Sequence, residues 1–217
     1  MNKIWQKNTG FSRPARFFLL FNCQTTGLRS IVRRKAPDYL TGPANKIFPN
    51  LLNRKFDVSE ADKYWCTDFT YLPQEDGTMR YNCTIIDLYR RVAIATLNGP
   101  HIDWKLAADT LAIALKKRNY PVGVILHSDQ GVQFTCKNFN DYCRKNNVQQ
   151  SMSRAGCPYD NAPMERFYNT LKNEYFNIHT FRSTAHLDQG IYNFIKIKYN
   201  YSRPHSHNGG QPPYVAS

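Results

Sequence analysis

Three acidic residues that lie far apart in a strongly basic chain limit how the chain can fold. Asp68 lies inside an aromatic and threonine-rich run, Tyr64 to Leu72, whose composition is typical of a β-strand. Asp129 follows the apolar run Val122 to Leu126, and 35 residues separate it from Glu165. A carboxylate inside a buried strand costs free energy unless it is paired or binds a metal ion. The three acids therefore predict one shared site.

Carboxylates that meet from separate elements suit phosphodiester chemistry with divalent metal ions. Two-metal catalysis holds the ions about 3.5–4 Å apart, and Mg²⁺ prefers oxygen ligands and keeps several of its waters. A few Asp and Glu side chains are enough to bind such ions. We therefore interpret Asp68, Asp129 and Glu165 as catalytic residues and metal ligands, with two Mg²⁺ (or Mn²⁺) ions per site, that cut or join DNA.

Short sequence words around these acids recur in an order that resembles one protein family. The words are WCTDFTY at Trp65–Tyr71, HSDQGVQF at His127–Phe134, SMSR at Ser151–Arg154, DNA at Asp160–Ala162, LKNE at Leu171–Glu174 and YNYSRPH at Tyr199–His205. Together with the 35-residue interval, they resemble the OrfB catalytic half of IS3-family insertion-sequence transposases, in the same DDE superfamily as retroviral integrases. The resemblance runs from about Asn53 to the C-terminus, and His207 departs from it where the family commonly has Leu.

The resemblance implies an α/β ribonuclease H-like fold, and the predicted order of strands and helices agrees with it. That fold has a five-stranded mixed sheet, in which two parallel strands extend three antiparallel ones, flanked by helices. Asp68 would lie midway along the first strand, Asp129 just past the fourth, and Glu165 on the helix after the fifth. We predict that residues 1–55 form a basic, disordered tail and linker, and that residues 56–217 form the catalytic core with a C-terminal helix.

The periodicity of apolar residues gives closer bounds for the elements. Strands are predicted at Tyr64–Leu72, Met79–Leu88, Val92–Leu97, Val122–Leu126 and Val148–Met152. Helices are predicted at Asp103–Arg118, at Lys137–Asn146, after the loop Ser153–Asn161 and at residues 184–201. The packed helix faces are expected to include Trp104 and Lys198. Asp87, a further acid in a strand, is interpreted as an ion-pair partner of Arg90 or Arg91 instead of a metal ligand.

Four residues near the acids are assigned supporting roles. His127 is interpreted as a hydrogen-bonding support, with a catalytic role as the alternative. Gly131 permits a tight turn or a close approach of the DNA backbone. Asp160 or Asn161 is expected to cap the helix that carries Glu165.

Four further residues are assigned to DNA contact. Asn169 and Lys172 follow Glu165 by four and seven residues, so they share its helix face and are expected to reach sugar or phosphate groups. The alternative for Lys172 is a solvated or acid-paired surface position. Arg154 and Arg203 are the other two, and packing of the C-terminal helix is an equal alternative for Arg203.

The net charge of +13 indicates a polyanionic partner, which we interpret as DNA, both transposon ends and target. Met1 to Lys35 holds eight basic residues and no acid. A disordered tail is favoured there over a DNA-binding arm, because blocks of like charge are usually solvated. The family usually carries helix-turn-helix segments upstream, and we find none here. We therefore expect a helix-turn-helix partner, the OrfA product or a fused OrfAB protein, and a homo-oligomer on DNA.

The six cysteines include no CxxC pair and no zinc spacing, so we interpret them as reduced thiols. No apolar segment is long enough for a transmembrane helix, and we predict a cytoplasmic, nucleoid-associated bacterial protein without membrane contact. The predicted function is metal-dependent DNA cleavage and strand transfer by a transposase. The alternatives are a non-catalytic, DNA-binding remnant with a truncated N-terminus and, less favoured, a ribonuclease H or resolvase-type nuclease.

Overall fold

The computed structural model describes residues 46–215, and this part of the chain is built around one mixed β-sheet. Its strands are β1 (Tyr64–Pro73), β2 (Met79–Asp87), β3 (Ala93–Gly99), β4 (Ile125–Ser128) and β5 (Gln149–Met152). Their order is β3-β2-β1-β4-β5. β2 pairs antiparallel with β1 and β3, whereas β4 pairs parallel with β1 and β5. The predicted sheet, three antiparallel strands extended by two parallel ones, is confirmed.

Helices cover both faces of this sheet. They are α1 (Trp104–Lys117), α2 (Val132–Thr135), α3 (Lys137–Lys145), α4 (Ala162–Glu174) and α5 (Thr184–Asn193), which continues as the π-helix Phe194–Ser202. Because side chains alternate along a strand, Trp65 packs in the core beneath α1–α3, and Cys66 packs in the core beneath α4 and α5. No helix among the described residues is long and apolar enough to cross a membrane.

The segment before β1 packs against the sheet although it has no regular structure. Predictions for residues 1–45, including the disordered tail, lie outside the described residues. Leu52 is buried, and the Leu51 N–H donates a hydrogen bond to Ser151 Oγ in β5 at 2.9 Å. The packed core therefore begins before Phe56.

The fourth strand begins later than the apolar run predicts. Val122 is 92% exposed, and Gly123 has a φ of +79°, which glycine adopts without steric cost. Proline and glycine on either side of Val122 make this stretch a turn, so its apolar character does not lead to burial. The shorter strand places His127 inside β4 and Asp129 directly after it.

Two predicted helix-face residues are exposed, and one helix was not predicted. Trp104 is the first residue of α1 and is 38% exposed. Lys198 is exposed because it lies in the π-helix, where the faces no longer follow a period of 3.6 residues. The helix α2 is a single turn, too short to produce a periodic pattern.

Asp87 has an ion-pair partner, but the predicted partners are wrong. Its carboxylate is buried and accepts a hydrogen bond from the Tyr89 N–H at 3.0 Å. The guanidinium that approaches it, at 3.7 Å, belongs to Arg118 at the end of α1. Arg91 pairs instead with Asp57, at 3.7 Å.

Two residues of the C-terminal YNYSRPH segment, Tyr199 and Asn200, hold the last helix on the sheet. Asn200 is fully buried, and its side chain accepts a hydrogen bond from Ala93 N–H at 2.9 Å and donates one to Ala93 O at 3.0 Å. The Tyr199 ring lies 4.9 Å from the Phe167 ring of α4. These two residues therefore contribute to packing.

Truncating the core beneath α4 tests this arrangement. Leu171 is fully buried between α4 and the sheet, so Leu171→Ala is expected to lower the free energy of unfolding by about 2–5 kcal/mol in urea titration. Asn173→Ala, at an exposed position two residues further on, is the control and should stay within about 0.5 kcal/mol of the parent protein. Equal losses in both variants would contradict the assigned face.

Candidate active site

The three predicted acids line one cleft at the edge of the sheet where β4 ends. Asp68 lies midway along β1, Asp129 directly follows β4, and Glu165 lies in the first turns of α4. The cleft has a volume of about 440 Å³. Its other lining residues are Gln130, Gly131, Ser153, Arg154, Ala155, Gly156, Cys157, Pro158 and Asn161. Three separate elements therefore bring one carboxylate each to the same cavity.

Backbone hydrogen bonds orient the two aspartates. The Phe69 N–H donates to Asp68 Oδ1 at 2.7 Å, and the Gly131 N–H donates to Asp129 Oδ1 at 2.9 Å. Within the part of the chain that the structure describes, Oδ2 of each aspartate accepts no hydrogen bond. One oxygen of each carboxylate is therefore available to a ligand in the cleft.

Helix α4 and the residue before it are attached to β1 at Asp68 and at the preceding residue, Thr67. The Tyr168 hydroxyl donates a hydrogen bond to the Asp68 carbonyl oxygen at 2.7 Å. Asn161, just before the helix, donates from Nδ2 to the Thr67 carbonyl oxygen at 3.2 Å. Glu165 lies between these two attachments, so they set its position relative to Asp68.

The cleft concentrates negative charge. Burial, together with the Asp129 and Glu165 carboxylates, raises the pKa of Asp68 to about 7, although its hydrogen bond from Phe69 opposes this. Burial also raises the pKa of Asp129, against the lowering effect of the Gly131 N–H. Like charges this close disfavour ionisation, so a bound cation would favour the charged forms of these carboxylates.

The donor atoms of the cleft suit a hard cation, although they do not form a closed cage. Among residues 46–215, no group of three acidic, histidine or cysteine side chains is arranged to hold a metal ion. Asn161 Oδ1, in the cleft wall, is buried and has no hydrogen-bond partner within the described part of the chain. Mg²⁺ accepts carboxylate and amide oxygens and usually keeps several waters. The oxygen donors of Asp68, Asp129, Glu165 and Asn161 are therefore of the chemical type that such an ion binds.

Asp160 and Asn161 were the two residues expected to cap α4, and Asp160 instead anchors the loop beside the cleft. Its carboxylate is inaccessible to solvent and lies 3.0 Å from Arg154 Nε and 2.6 Å from Arg54 Nε. Asn50 Nδ2 donates a further hydrogen bond at 3.1 Å. Bonding to Arg154 and then to Arg54 lowers the pKa of Asp160. Asn161 occupies the N-cap position, but its side chain makes no capping hydrogen bond and donates instead to the Thr67 carbonyl oxygen.

His127 connects β4 to β5 and to the loop that follows. Its Nδ1 lies 2.9 Å from Ser151 Oγ, and its Nε2 lies 3.1 Å from Ser153 Oγ. Burial lowers the pKa of His127 to about 4, so the imidazole is neutral near pH 7. This geometry is consistent with the predicted supporting role.

Gly131 forms part of a tight turn, although its φ does not require glycine. Its φ is −57°, outside the left-handed region. A Cβ atom added at Gly131 would lie 2.2 Å from Gln133 Nε2. A larger residue would therefore displace a flexible side chain without straining the backbone.

The two candidate DNA contacts on α4 differ in position. Asn169 lies with Glu165 in a shallow groove along the helix. Lys172 is half-buried, and burial lowers its pKa. No carboxylate in residues 46–215 lies within ion-pair distance of Lys172, so the acid-paired alternative is not observed there.

Both candidate arginines have acidic partners. Arg154 bonds to Asp160, while its side chain is 61% exposed. Arg203 makes two hydrogen bonds to Glu174, at 2.8 and 2.6 Å. This pair joins the C-terminal segment to the end of α4. It agrees with the packing role that was the alternative to DNA contact for Arg203.

Sequence reasoning missed two residues that shape the site. Tyr168 follows Glu165 by three residues, and this spacing could have indicated that it faces β1. Arg54 gave no signal, because its partner Asp160 is 106 residues away in the chain.

Comparison with known proteins shows the family of the chain. The integrase core domain family matches residues 58–158, and a second integrase core domain family matches residues 146–213. The transposase for insertion sequence element IS904 of Lactococcus lactis subsp. lactis is 37% identical over 174 residues, which is 80% of this chain and 68% of that protein. The chain belongs to the IS3-family transposases. The InsF transposase of IS3fB from Escherichia coli K12 is 35% identical over 192 residues, covering 88% of this chain and 66% of the relative. The transposase chain thus spans about two thirds of the length of these relatives.

Solved structures confirm the ribonuclease H-like integrase fold. The simian T-cell lymphotropic virus intasome in complex with PP2A regulatory subunit B56 gamma matches with a TM-score of 0.58 and 15% identity, covering 95% of this chain and 67% of that chain. The HTLV-2 integrase catalytic core domain in complex with magnesium matches with a TM-score of 0.50 and 12% identity. The match covers 71% of this chain and 95% of that chain.

The raised pKa of Asp68 predicts a specific pH dependence of stability. The folded-state pKa is about 7 against an ordinary value of 3.8. Between these values the folded state binds more protons than the unfolded state, so the free energy of unfolding should fall as pH rises. Asp68→Asn should remove this loss. Above pH 7 its free energy of unfolding should exceed that of the parent protein by about 1–3 kcal/mol. Urea unfolding without divalent ions, from pH 4 to pH 8, measures the difference, and a constant difference across that range would contradict the shift.

Proposed function

We propose that Asp68, Asp129 and Glu165 are the catalytic residues of metal-dependent DNA cleavage and strand transfer during insertion-sequence transposition. The observation that carries this proposal is their position in one cleft, reached from β1, from the end of β4 and from α4. The relatives named as insertion-sequence transposases support it. In this reaction a hydroxyl oxygen bonds to phosphorus as the bond from phosphorus to the leaving oxygen breaks.

We infer that the same carboxylates hold two Mg²⁺ or Mn²⁺ ions. The magnesium complex of the HTLV-2 integrase core supports this inference. When bound, such ions activate the attacking hydroxyl and stabilise the leaving oxygen of a phosphodiester. The protein's part is to hold the charges of Asp68, Asp129 and Glu165 in place. Because its pKa is about 7, Asp68 must release its proton before its carboxylate can bind a cation.

The substrate of this site is DNA, both transposon ends and target. A net charge of +13 supports binding through backbone phosphates. Asn169 and Lys172 extend from the helix that carries Glu165, and we propose that both reach sugar or phosphate groups. Arg154, largely exposed beside the cleft, would contact a phosphate by exchanging its acidic partner.

We further propose that the transposase acts as a homo-oligomer on DNA, in the bacterial cytoplasm and close to the nucleoid. The viral relative of the same fold, solved as an intasome, supports assembly. A helix-turn-helix partner, the OrfA product or a fused OrfAB protein, would supply recognition of the transposon ends.

A strand-joining assay with labelled insertion-sequence ends tests the assignment. Asp68→Asn and Asp129→Asn should each lower joining by more than about 100-fold, since each removes a charged ligand of the metal site. Their melting temperatures should be unchanged or higher, because the acids repel one another in the absence of metal. Asp141→Asn is the matched control on α3, where the side chain is 46% exposed and pairs with Arg144, and it should join normally.

Different results would separate the candidate functions. Joining by Asp68→Asn at the parent rate would overturn the catalytic assignment. If the parent protein binds DNA but does not join strands in Mg²⁺ or Mn²⁺, with the helix-turn-helix protein added, a non-catalytic DNA-binding role is favoured.

A further inference from the structure

A second cleft lies beside the acidic one, on the neighbouring face of α4, and its polar lining is predominantly basic. It has a volume of about 440 Å³. The polar residues that matter here are Arg91, Arg166, Thr170, Arg203, His205 and His207. Nothing in the proposed chemistry of the acidic cleft uses them.

Arg91 is the most buried cation of this cleft, and its hydrogen bonding is incomplete. The residue is 9% exposed. Its Nη2 lies 3.4 Å from His207 Nδ1 and 3.7 Å from Asp57 Oδ1. Its Nη1 is buried and has no hydrogen-bond partner among the described residues. A buried donor without an acceptor costs free energy, so Arg91 is suited to an anionic ligand.

The other two arginines of the cleft, Arg203 and Arg166, differ in whether a carboxylate in residues 46–215 holds the guanidinium. Arg203 is held by Glu174 through two hydrogen bonds. Arg166 is exposed, and no carboxylate in residues 46–215 lies within ion-pair distance of it. The planar guanidinium of Arg166 is therefore available to bind a phosphate with two parallel hydrogen bonds.

The electrostatics of the cleft agree with an anion site. Burial lowers the pKa of His205 to about 4, and the charges of Arg91, Arg203, His207 and Arg166 lower it further. The imidazole is therefore neutral near pH 7 and adds no positive charge to that of the neighbouring arginines.

The basic cleft is continuous with the acidic cleft along α4. A shallow groove on the helix is lined by Glu165 and Asn169 and also by Arg166, Thr170 and Arg203. Glu165 belongs to the acidic cleft as well, and the last three residues belong to the basic one. A polyanionic strand that enters the acidic cleft can therefore follow the groove to the basic cleft.

We propose that the basic cleft binds a backbone phosphate of the same DNA whose reacting phosphate lies at the acidic cleft. This inference rests on the proposed function for its substrate. Arg166 and Arg91 bind the phosphate oxygens, while Arg203, fixed by Glu174, shapes the wall. The site recognises phosphate and sugar geometry without reading bases.

Arg166→Gln tests the proposal in equilibrium binding of a fluorescent DNA duplex without divalent ions, so that catalysis does not contribute. We expect an affinity loss of about tenfold and a salt-dependence slope smaller in magnitude by about 1. Arg144→Gln is the matched control, because Arg144 lies on α3 and is 82% exposed. Arg144→Gln removes the same charge and should leave the salt-dependence slope of DNA affinity near that of the parent protein. Melting temperatures of both variants should equal that of the parent protein.

A second measurement locates the contact on the DNA. Replacing single phosphates by uncharged methylphosphonates should weaken DNA binding by the parent protein at several positions, and Arg166→Gln should be insensitive at one or two of them. Arg91→Gly, which tolerates the left-handed backbone at φ +60°, should lose the same sensitivity. Equal behaviour of Arg166→Gln and Arg144→Gln, or sensitivity retained at every phosphate, would overturn the proposal. Failure of strand joining with these binding differences intact would overturn only the proposed function.

Discussion

The hydrogen bond from the Tyr168 hydroxyl to the Asp68 carbonyl oxygen determines how α4 lies on the sheet. The same hydroxyl is 3.2 Å from Asn82 O on β2, so one buried group connects the helix to two strands. Burial raises the pKa of Tyr168 well above its usual range, so the phenol stays a neutral donor. Neutral contacts of this kind hold Glu165 close to Asp68, although the carboxylates of these two residues repel each other. The acidic site thus depends on packing and uncharged hydrogen bonds for its geometry.

Consecutive residues of α4 separate the two charged regions of the surface. Glu165 faces the acidic cleft, and Arg166 faces the basic one. The next residue, Phe167, is buried in the core with Leu171. Since successive residues of an α-helix point about 100° apart, one short segment presents an acid, a base and an apolar anchor in three directions. This arrangement places opposite potentials side by side on a rigid element.

The sequence predicts well what depends on local periodicity, and less well what depends on distant partners. The aromatic and threonine-rich composition of β1 predicted a strand, the family resemblance implied the mixed sheet, and the three predicted acids line one cleft. Of the two expected caps, Asp160 does not cap α4, because Arg54, 106 residues away, binds its carboxylate, and Asn161 occupies the N-cap position. Asp87 likewise pairs with Arg118 of α1, beyond the neighbouring turn. Local rules do not include such long-range ion pairs.

The carboxylate of Asp160 has more cationic partners than its charge requires. Arg54 approaches Oδ1, and both Arg154 and Asn50 approach Oδ2. An inaccessible carboxylate that loses its single partner would be costly. Here one arginine can leave while the other still compensates the charge and Asn50 keeps its hydrogen bond. Arg154 is thus a replaceable partner: it can turn toward another anion without leaving a lone charge in the interior, and the loop beside the cleft stays attached to the segment that precedes β1.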